Sequence, residues 1–157
     1  RDLVRSRGLG DVYKRQDYKY KVWGVRLLMI YVAIFVILII FSYIAILLLY
    51  PVNPLEMALQ LMFPILFFGN MAFMLSTITR SGNGTAVFMI IIGIALMFLG
   101  KPDSFWNVLL NPFRVPDNVH PIIWEGILIK NRIFLLSASL VWMMVGLLYL
   151  QKREKFV

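Results

Sequence analysis

The sequence predicts an all-α membrane protein with four transmembrane helices and with short interfacial or re-entrant helices between the third and the fourth. Of its 157 residues, 61% are hydrophobic and 15% are charged, which leaves too little polar surface for a soluble domain. The apolar residues occur in long blocks rather than at helical or strand spacing. A block of about 20 residues is long enough, as a helix, to cross the roughly 30 Å hydrocarbon core of a bilayer.

We place the four spans at residues 27–50, 57–79, 84–100 and 133–151. Pro51 and Pro54 separate the first two spans, and a polar turn at residues 80–84 separates the second from the third. None of the spans contains a charged residue, and a charge at mid-bilayer is the usual mark of ion or proton coupling. We therefore expect their polar side chains to hydrogen-bond between helices. These side chains are Asn70, Ser76, Ser137 and Ser139.

The distribution of basic residues predicts that both ends of the chain face the cytoplasm, because cytoplasmic segments of membrane proteins are enriched in Lys and Arg. In this orientation the cytoplasmic segments hold Lys19, Lys21, Arg26, Arg80, Lys152, Arg153 and Lys155. The outside holds Lys101, Arg114, Lys130 and Arg132. The net charge of +8 is therefore interpreted as a set of topology signals facing a lipid bilayer, and no nucleic-acid partner is expected.

Residues 101–132 form the outside segment, which is too polar and too rich in proline to span the membrane. It is nevertheless too apolar for a free loop, since it contains Phe105, Trp106, Ile122, Ile123 and Trp124. Short helices that lie in the interface, or that enter the membrane part-way and return, would account for both properties.

The first sixteen residues, RDLVRSRGLGDVYKRQ, differ in composition from everything that follows. They resemble a translated sequencing adapter, and they lack the apolar centre and cleavage site of a signal peptide. We expect residues 1–16 to be such an artefact, with residues 17–157 forming a single transmembrane domain. The alternative is that residues 1–16 form a basic cytoplasmic tail. The native protein is then expected to begin upstream, which would make this chain a C-terminal fragment.

The sequence contains no recognisable catalytic apparatus. It has no cysteine, so disulfides, thiolate metal sites and cysteine nucleophiles are excluded. The single histidine, His120, has no carboxylate or second histidine at ligand spacing. We therefore expect no catalytic residue, no bound cofactor and no metal in this chain.

Four stretches resemble the permease subunits of ABC transporters of the type-two exporter superfamily. They are residues 74–81 (MLSTITRS), 111–113 (NPF), 129–136 (IKNRIFLL) and 146–156 (GLLYLQKREKF). The resemblance covers residues 17–157 and is strongest after Met74. These permeases have six spans, cytoplasmic ends, and short re-entrant outside helices between the fifth and sixth spans. The four spans here correspond to the last four of the six.

The resemblance implies a non-catalytic permease subunit in a bacterial plasma membrane. It would pair with a second permease half, identical or different, and with ATP-binding subunits that hold ATP and Mg²⁺. The family's coupling helix would lie upstream of Asp17. Candidate cytoplasmic contacts to the partner are Arg26, Arg80 and Ser81. Candidate residues of an outside gate or re-entrant segment are Trp106, Asn111, Pro112, Phe113, Trp124 and Glu125. Relatives export drugs, peptides, lipids, polysaccharides or sodium, so the resemblance names no cargo.

The alternative is a polytopic membrane protein without ATP coupling, either a secondary transporter or a membrane assembly or immunity protein. A secondary transporter is expected to carry intramembrane charges or interrupted helices in matching halves. An intramembrane enzyme would need polar catalytic residues at membrane depth. The sequence displays neither feature.

Overall fold

The computed structural model describes residues 2–48, 53–101, 104–117 and 119–154. Within these residues the chain forms four α-helices and no β-strand: α1 (Asp2–Leu48), α2 (Pro54–Thr79), α3 (Gly82–Leu99) and α4 (Pro121–Glu154). The predicted all-α class is confirmed, because all four helices contain a stretch long and apolar enough to cross a membrane. Some positions named in the predictions lie outside the described residues. They are Tyr50 at the end of the first span, Pro51 in the following turn, Pro102 in the connection and the basic Lys155.

Helix α1 is the longest helix, and only its second half is apolar. Its 47 residues correspond to about 70 Å of helix, far more than the hydrocarbon core requires. The apolar stretch is Val22–Leu48, and its large side chains are mostly exposed, with Met29 and Phe41 more than half accessible. Such exposure is normal for a helix surrounded by lipid. The helix also includes residues 2–16, which were predicted to be a sequencing artefact.

Helices α2 and α4 pack side by side and run in the same direction. Gln60 near the start of α2 bonds to Arg132, Asn70 in the middle bonds to Ser139, and Phe73 near the end contacts Gly146. Each pair is separated by about 70 residues, and this nearly constant offset is what a parallel pair requires. Because α3 follows α2 after a short turn, it runs in the opposite direction.

Helices α2, α3 and α4, together with the α3–α4 connection, form one compact unit. Its core includes a residue from outside the helices. Phe67 and Met71 of α2 pack with Leu135 of α4 and with Val108, which belongs to the α3–α4 connection. The connection therefore folds back against the helices instead of projecting away from them. Helix α3 covers the cluster with one face only, through Met89, Ile92 and Leu96.

The α3–α4 connection differs from the expected short helices. The described residues between 100 and 120 form hydrogen-bonded turns, such as Asn107 N–H to the Ser104 carbonyl at 3.0 Å. The helical part of the segment, residues 121–132, is continuous with the last span, so that α4 has 34 residues. The reason is local, because Pro121 suits the first position of a helix. The carbonyl of the preceding His120 accepts a hydrogen bond from Trp124 N–H at 3.0 Å.

The expected hydrogen bonds between helices are confirmed for two of the four polar side chains. Asn70 Nδ2 donates to Ser139 Oγ at 2.7 Å, and Ser139 Oγ donates to the Leu66 carbonyl at 3.0 Å. Ser76 and Ser137 instead donate to carbonyls of their own helices. The difference follows from position, since Asn70 and Ser139 are buried where α2 meets α4 whereas Ser137 is exposed.

Candidate functional site

The side chain of Asn131, in α4, binds the backbone of the α3–α4 connection. Its side chain is fully buried, at 0% exposure, and its Nδ2 donates to the carbonyls of Phe105 at 2.7 Å and Asn107 at 2.9 Å. Its Oδ1 accepts a hydrogen bond from Arg132 Nη1 at 3.1 Å. One amide therefore satisfies two backbone carbonyls of the connection, and such groups are costly to leave without a donor.

Arg132 extends this network from α4 to α2. Its Nε donates to Gln60 Oε1 at 2.7 Å, and its guanidinium carbon lies 5.1 Å from the centroid of the Phe63 ring, within the range of a cation–π contact. Its Nη2 is buried and has no hydrogen-bond partner among the described residues. The guanidinium is thus stabilised by neutral groups, and no carboxylate in the described part of the chain forms an ion pair with it.

Arg132 was expected in the outside segment, in front of the last span. The structure places it inside α4, within the apolar stretch Pro121–Leu150, and half-buried against α2. Helical residues with charged side chains are tolerated near a membrane boundary because long side chains can reach the interface. The continuity of α4 is therefore the physical reason for the difference.

A first cavity, which we call the polar cavity, lies between the connection and the start of α4. Its volume is about 440 Å³, within the usual range for a small-molecule site. It is lined by Asn107, Asn111, Arg114, Asp117 and Trp124, with Leu109 and Pro116 as its apolar part. Trp124 is 3% exposed, and its indole N–H has no acceptor among the described residues.

A second cavity of about 400 Å³ lies at the end of α3, where the connection begins. It is lined by the last turn of α3 and by Lys101, Ser104, Trp106 and Val108. Gly100 allows the connection to approach α3 closely, because a Cβ there would lie 2.7 Å from Asn107 Oδ1. Trp106 packs its ring at 4.6 Å from Phe105 and at 4.7 Å from Phe134.

The α2–α3 turn lies at the other end of the α2–α4 pair. Arg80 has a φ of 57°, a left-handed conformation that is uncommon for a residue with a side chain. Ser81 then caps α3, since its Oγ accepts a hydrogen bond from Gly84 N–H at 3.2 Å. The hydroxyl groups of Thr79 and Thr85 lie 3.0 Å apart across the turn. Arg80, Ser81 and Asn83 are all exposed.

The structure brings some of the predicted site residues together and leaves others apart. Asn111 and Trp124 line the polar cavity, whereas Trp106 lines the second cavity. Pro112 and Phe113 form a turn in which Phe113 N–H donates to Asn111 Oδ1 at 3.0 Å. Glu125 is exposed on α4 and lines neither cavity.

Among the predicted cytoplasmic contacts, Arg80 and Ser81 are neighbours in the exposed α2–α3 turn. Arg26 is exposed on α1, with its guanidinium carbon 5.6 Å from the centroid of the Trp23 ring. In the described part of the chain, no three His, Asp or Glu side chains lie together as a metal site would require.

Gln60 and Asp117 were assigned no role from the sequence. Arg114 was predicted only as an outside charge, and Asn131 only as part of the permease-like stretch 129–136. The pair Asn131 and Arg132 at the start of an apolar span could have been noted as a signal. A polar side chain buried at such a place must form hydrogen bonds, so partners for Asn131 could have been expected. Gln60 could have been noted as a polar residue in an apolar span. Nothing in the sequence pairs Gln60 with Arg132. The two residues are 72 positions apart, and no local sequence pattern sets the register between helices so distant in the chain.

Comparisons with protein-family models, with curated proteins and with solved structures find no match to this chain. The class of protein therefore rests on the chain itself. Four helices with the length and composition of membrane spans, together with extensive exposed apolar side chains, define a multi-pass membrane protein.

Proposed function

We propose that this chain is the membrane-spanning permease subunit of an ATP-driven exporter. It forms half of a translocation path, while separate ATP-binding subunits hold ATP and Mg²⁺ and hydrolyse the nucleotide. Its partners are those subunits, a second permease half of the same or a different sequence, and the lipid bilayer. The membrane is a bacterial plasma membrane in this proposal, with both ends of the chain in the cytoplasm.

The observation that carries the proposal is the placement of the permease-like stretches on the parallel α2–α4 pair. Residues 74–81 end α2 and form the exposed α2–α3 turn. Residues 129–136 lie in the first half of α4, where Asn131 holds the connection. In a permease these two places face opposite sides of the membrane, with the ATP-binding subunit on one side and the exit of the path on the other.

The α2–α3 turn has the properties of a contact for a cytoplasmic partner. It is short, basic and exposed, and hydrogen bonds on both sides hold it in one conformation. The left-handed Arg80 adds a local strain of about 1–2 kcal/mol that the surrounding bonds must offset. Such strain commonly occurs where a backbone conformation serves binding.

The proposal is tested by co-expressing the complete gene with the ATPase gene that we expect beside it. The two products should co-purify in detergent, and ATP hydrolysis by the complex should fall when Arg80 is replaced by Glu. The control is Lys130→Glu, which changes the charge at the opposite end, lines neither cavity and should leave hydrolysis unchanged. A complete gene with no ATPase neighbour, or products that do not associate, would contradict the proposal.

The proposed orientation has a separate test, because the chain has no cysteine and single cysteines can be introduced without background. With a membrane-impermeant maleimide on intact cells, Ser104→Cys should be labelled and Ser81→Cys should not. Labelling of Ser81→Cys alone would reverse the orientation.

One observation favours the alternative of a transporter without ATP coupling. Arg132 is a charged residue within an apolar helical stretch, and no described carboxylate pairs with it. Charges at membrane depth are typical of coupling sites in secondary transporters. Arg132 lies at the end of α4 that holds the connection, close to the membrane boundary, so we give the alternative second place. Uptake or efflux driven by an ion gradient in the absence of ATP would support it.

A further inference from the structure

The polar cavity combines opposite charges that do not neutralise each other. Arg114 and Asp117 both line it and are both exposed. Among the described residues they form no ion pair with each other or with any other group. Loop residues of opposite charge three positions apart can usually meet when nothing separates them. Two lining charges without an ion pair leave a cationic and an anionic group available to one ligand.

The remaining lining suits a small polar group with an apolar attachment. The side chains of Asn107 and Asn111 supply amides, and Trp124 supplies an indole surface. Aromatic surfaces next to a carboxylate are the usual environment for organic ammonium groups in proteins. Leu109 and Pro116 provide the apolar part of the wall. A ligand with a phosphate, an ammonium and an apolar portion would use all of these features.

The position of the cavity along the helices corresponds to the headgroup layer of a membrane. Helix α3 has 18 residues, about 27 Å, so its end at Leu99 lies near the edge of the roughly 30 Å core. Asn107 is close to Gly100 and is bonded through its carbonyl to Asn131, so both asparagines lie near the same edge. Trp124 precedes Asn131 by about two helical turns, roughly 10 Å. The cavity therefore covers the layer, roughly 5–7 Å deep, in which phospholipid headgroups lie.

We infer that the polar cavity binds the headgroup of a zwitterionic phospholipid, with the phosphate at Arg114 and the ammonium at Asp117. The inference does not rest on the exporter proposal or on its orientation, because phospholipid headgroups are present at both surfaces of a bilayer. Binding there would attach the α3–α4 connection to the membrane at a defined depth.

The test uses the purified full chain and two phospholipids with identical acyl chains. POPE offers a phosphate and an ammonium, whereas POPG offers a phosphate without an ammonium. Native mass spectrometry of the chain from mixed micelles with equimolar POPE and POPG should show POPE retained at least about five-fold over POPG. Arg114→Gln should reduce the retention of both lipids. Asp117→Asn should abolish the preference by raising POPG relative to POPE.

Matched controls are available on the same part of the chain. Glu125→Gln and Lys130→Gln remove one charge of each sign at exposed positions of α4 that do not line the cavity. Both should retain the POPE preference. Equal retention of the two lipids by the unmodified chain, or equal effects of the cavity variants and the controls, would overturn the inference.

A second experiment distinguishes a lipid ligand from a soluble ligand that has the same headgroup. Glycerophosphoethanolamine has the headgroup without acyl chains, and it should displace bound POPE only at concentrations at least about a hundred-fold higher than POPE itself. Displacement at equal concentration would show a site for a soluble phosphodiester and would overturn the assignment to a lipid.

Discussion

At one end of the α2–α4 pair the chain reverses within Arg80 and Ser81, whereas at the other end it takes residues 100–120 to pass from α3 to α4. The α2–α3 turn is held by hydrogen bonds between residues at most six positions apart. The connection is held by Asn131, whose partners lie 24 and 26 positions away. Local bonds specify the first reversal, whereas the second also depends on long-range contacts, chiefly the buried Asn131 side chain and the packing of Val108 in the core.

This difference predicts that the connection is the more fragile of the two ends. A short turn loses little when one of its bonds is removed, because its neighbours still restrict the backbone. A connection whose backbone carbonyls depend on one amide loses both bonds together. The following predictions test this contrast and the packing between the two ends, from the largest expected effect to the smallest.

Asn131→Leu should have the largest effect. It removes both donors to the Phe105 and Asn107 carbonyls and should lower the free energy of unfolding by about 2–4 kcal/mol. An SDS titration from mild detergent measures this loss. Limited trypsin digestion should also show faster cleavage after Arg114 as the connection is released.

The control for this variant is Asn111→Ala, which removes a bond to Phe113 N–H two residues away. It should cost about 0.5–1.5 kcal/mol. Equal losses for the two variants would show that Asn131 does not have the special role assigned to it.

Gly146→Ala tests the close approach of α4 to α2 between the two ends. A Cβ there would lie 2.8 Å from the Phe73 ring and 3.3 Å from Met74 Cα, so the substitution should cost about 1–3 kcal/mol through overpacking. Gly93→Ala and Gly126→Ala are matched controls, because nothing lies within 4 Å of a Cβ at either position. Both should be neutral or stabilising by up to about 1 kcal/mol. Similar losses in all three variants would exclude close packing as the cause.

The Asn70–Ser139 hydrogen bond is expected to contribute less than its burial suggests. A double-mutant cycle with Asn70→Leu and Ser139→Ala should give a coupling free energy of about 0.6 kcal/mol, with an upper bound of about 1.7 kcal/mol. Polar side chains in membrane helices find other partners when the native one is lost, which limits the effect. A coupling near zero would show that the 2.7 Å hydrogen bond contributes no net stability beyond that of the replacement partners.

The smallest effect is expected at the α2–α3 turn. Arg80→Gly relieves the left-handed conformation and should raise the free energy of unfolding by less than about 0.5 kcal/mol, because the greater backbone freedom of Gly in the unfolded state offsets most of the relieved strain. Lys130→Gly, inside α4, should lower it by about 1 kcal/mol. The two variants remove one positive charge each, so their opposite signs separate backbone strain from charge. A loss for Arg80→Gly would show that the Arg80 side chain stabilises the turn.

The number and type of the helices could be predicted from the sequence because they depend on long apolar blocks. The bounds of α3, Gly82–Leu99, differ little from the predicted 84–100, since a polar turn and Gly100 limit it on both sides. The start of α4 was harder to predict from the sequence. The charges of Lys130 and Arg132 ended the apolar block, but a helix that leaves the hydrocarbon core can continue with charged residues as far as Pro121.

The candidate site could be predicted only in part, for a related reason. Asn111 was identifiable through the permease-like stretch 111–113, and Trp124 through the apolar character of the outside segment. Arg114 and Asp117 are ordinary loop residues until the fold of the connection places them around one cavity. That fold depends on the buried Asn131, whose partners are backbone carbonyls, and backbone acceptors leave no mark in a sequence.

Site-specific cross-linking tests the proposed exporter permease most directly. In a complex of the chain with the proposed ATP-binding subunit, Asn83→Cys places a thiol in the exposed first turn of α3, next to the α2–α3 turn, and Asn111→Cys places one in the connection. A short bis-maleimide should join the Asn83 variant to a cysteine in the ATP-binding subunit, with a yield that changes on addition of ATP, and should not join the Asn111 variant. Cross-linking from Asn111, or from neither position, would contradict the proposed role of the two ends.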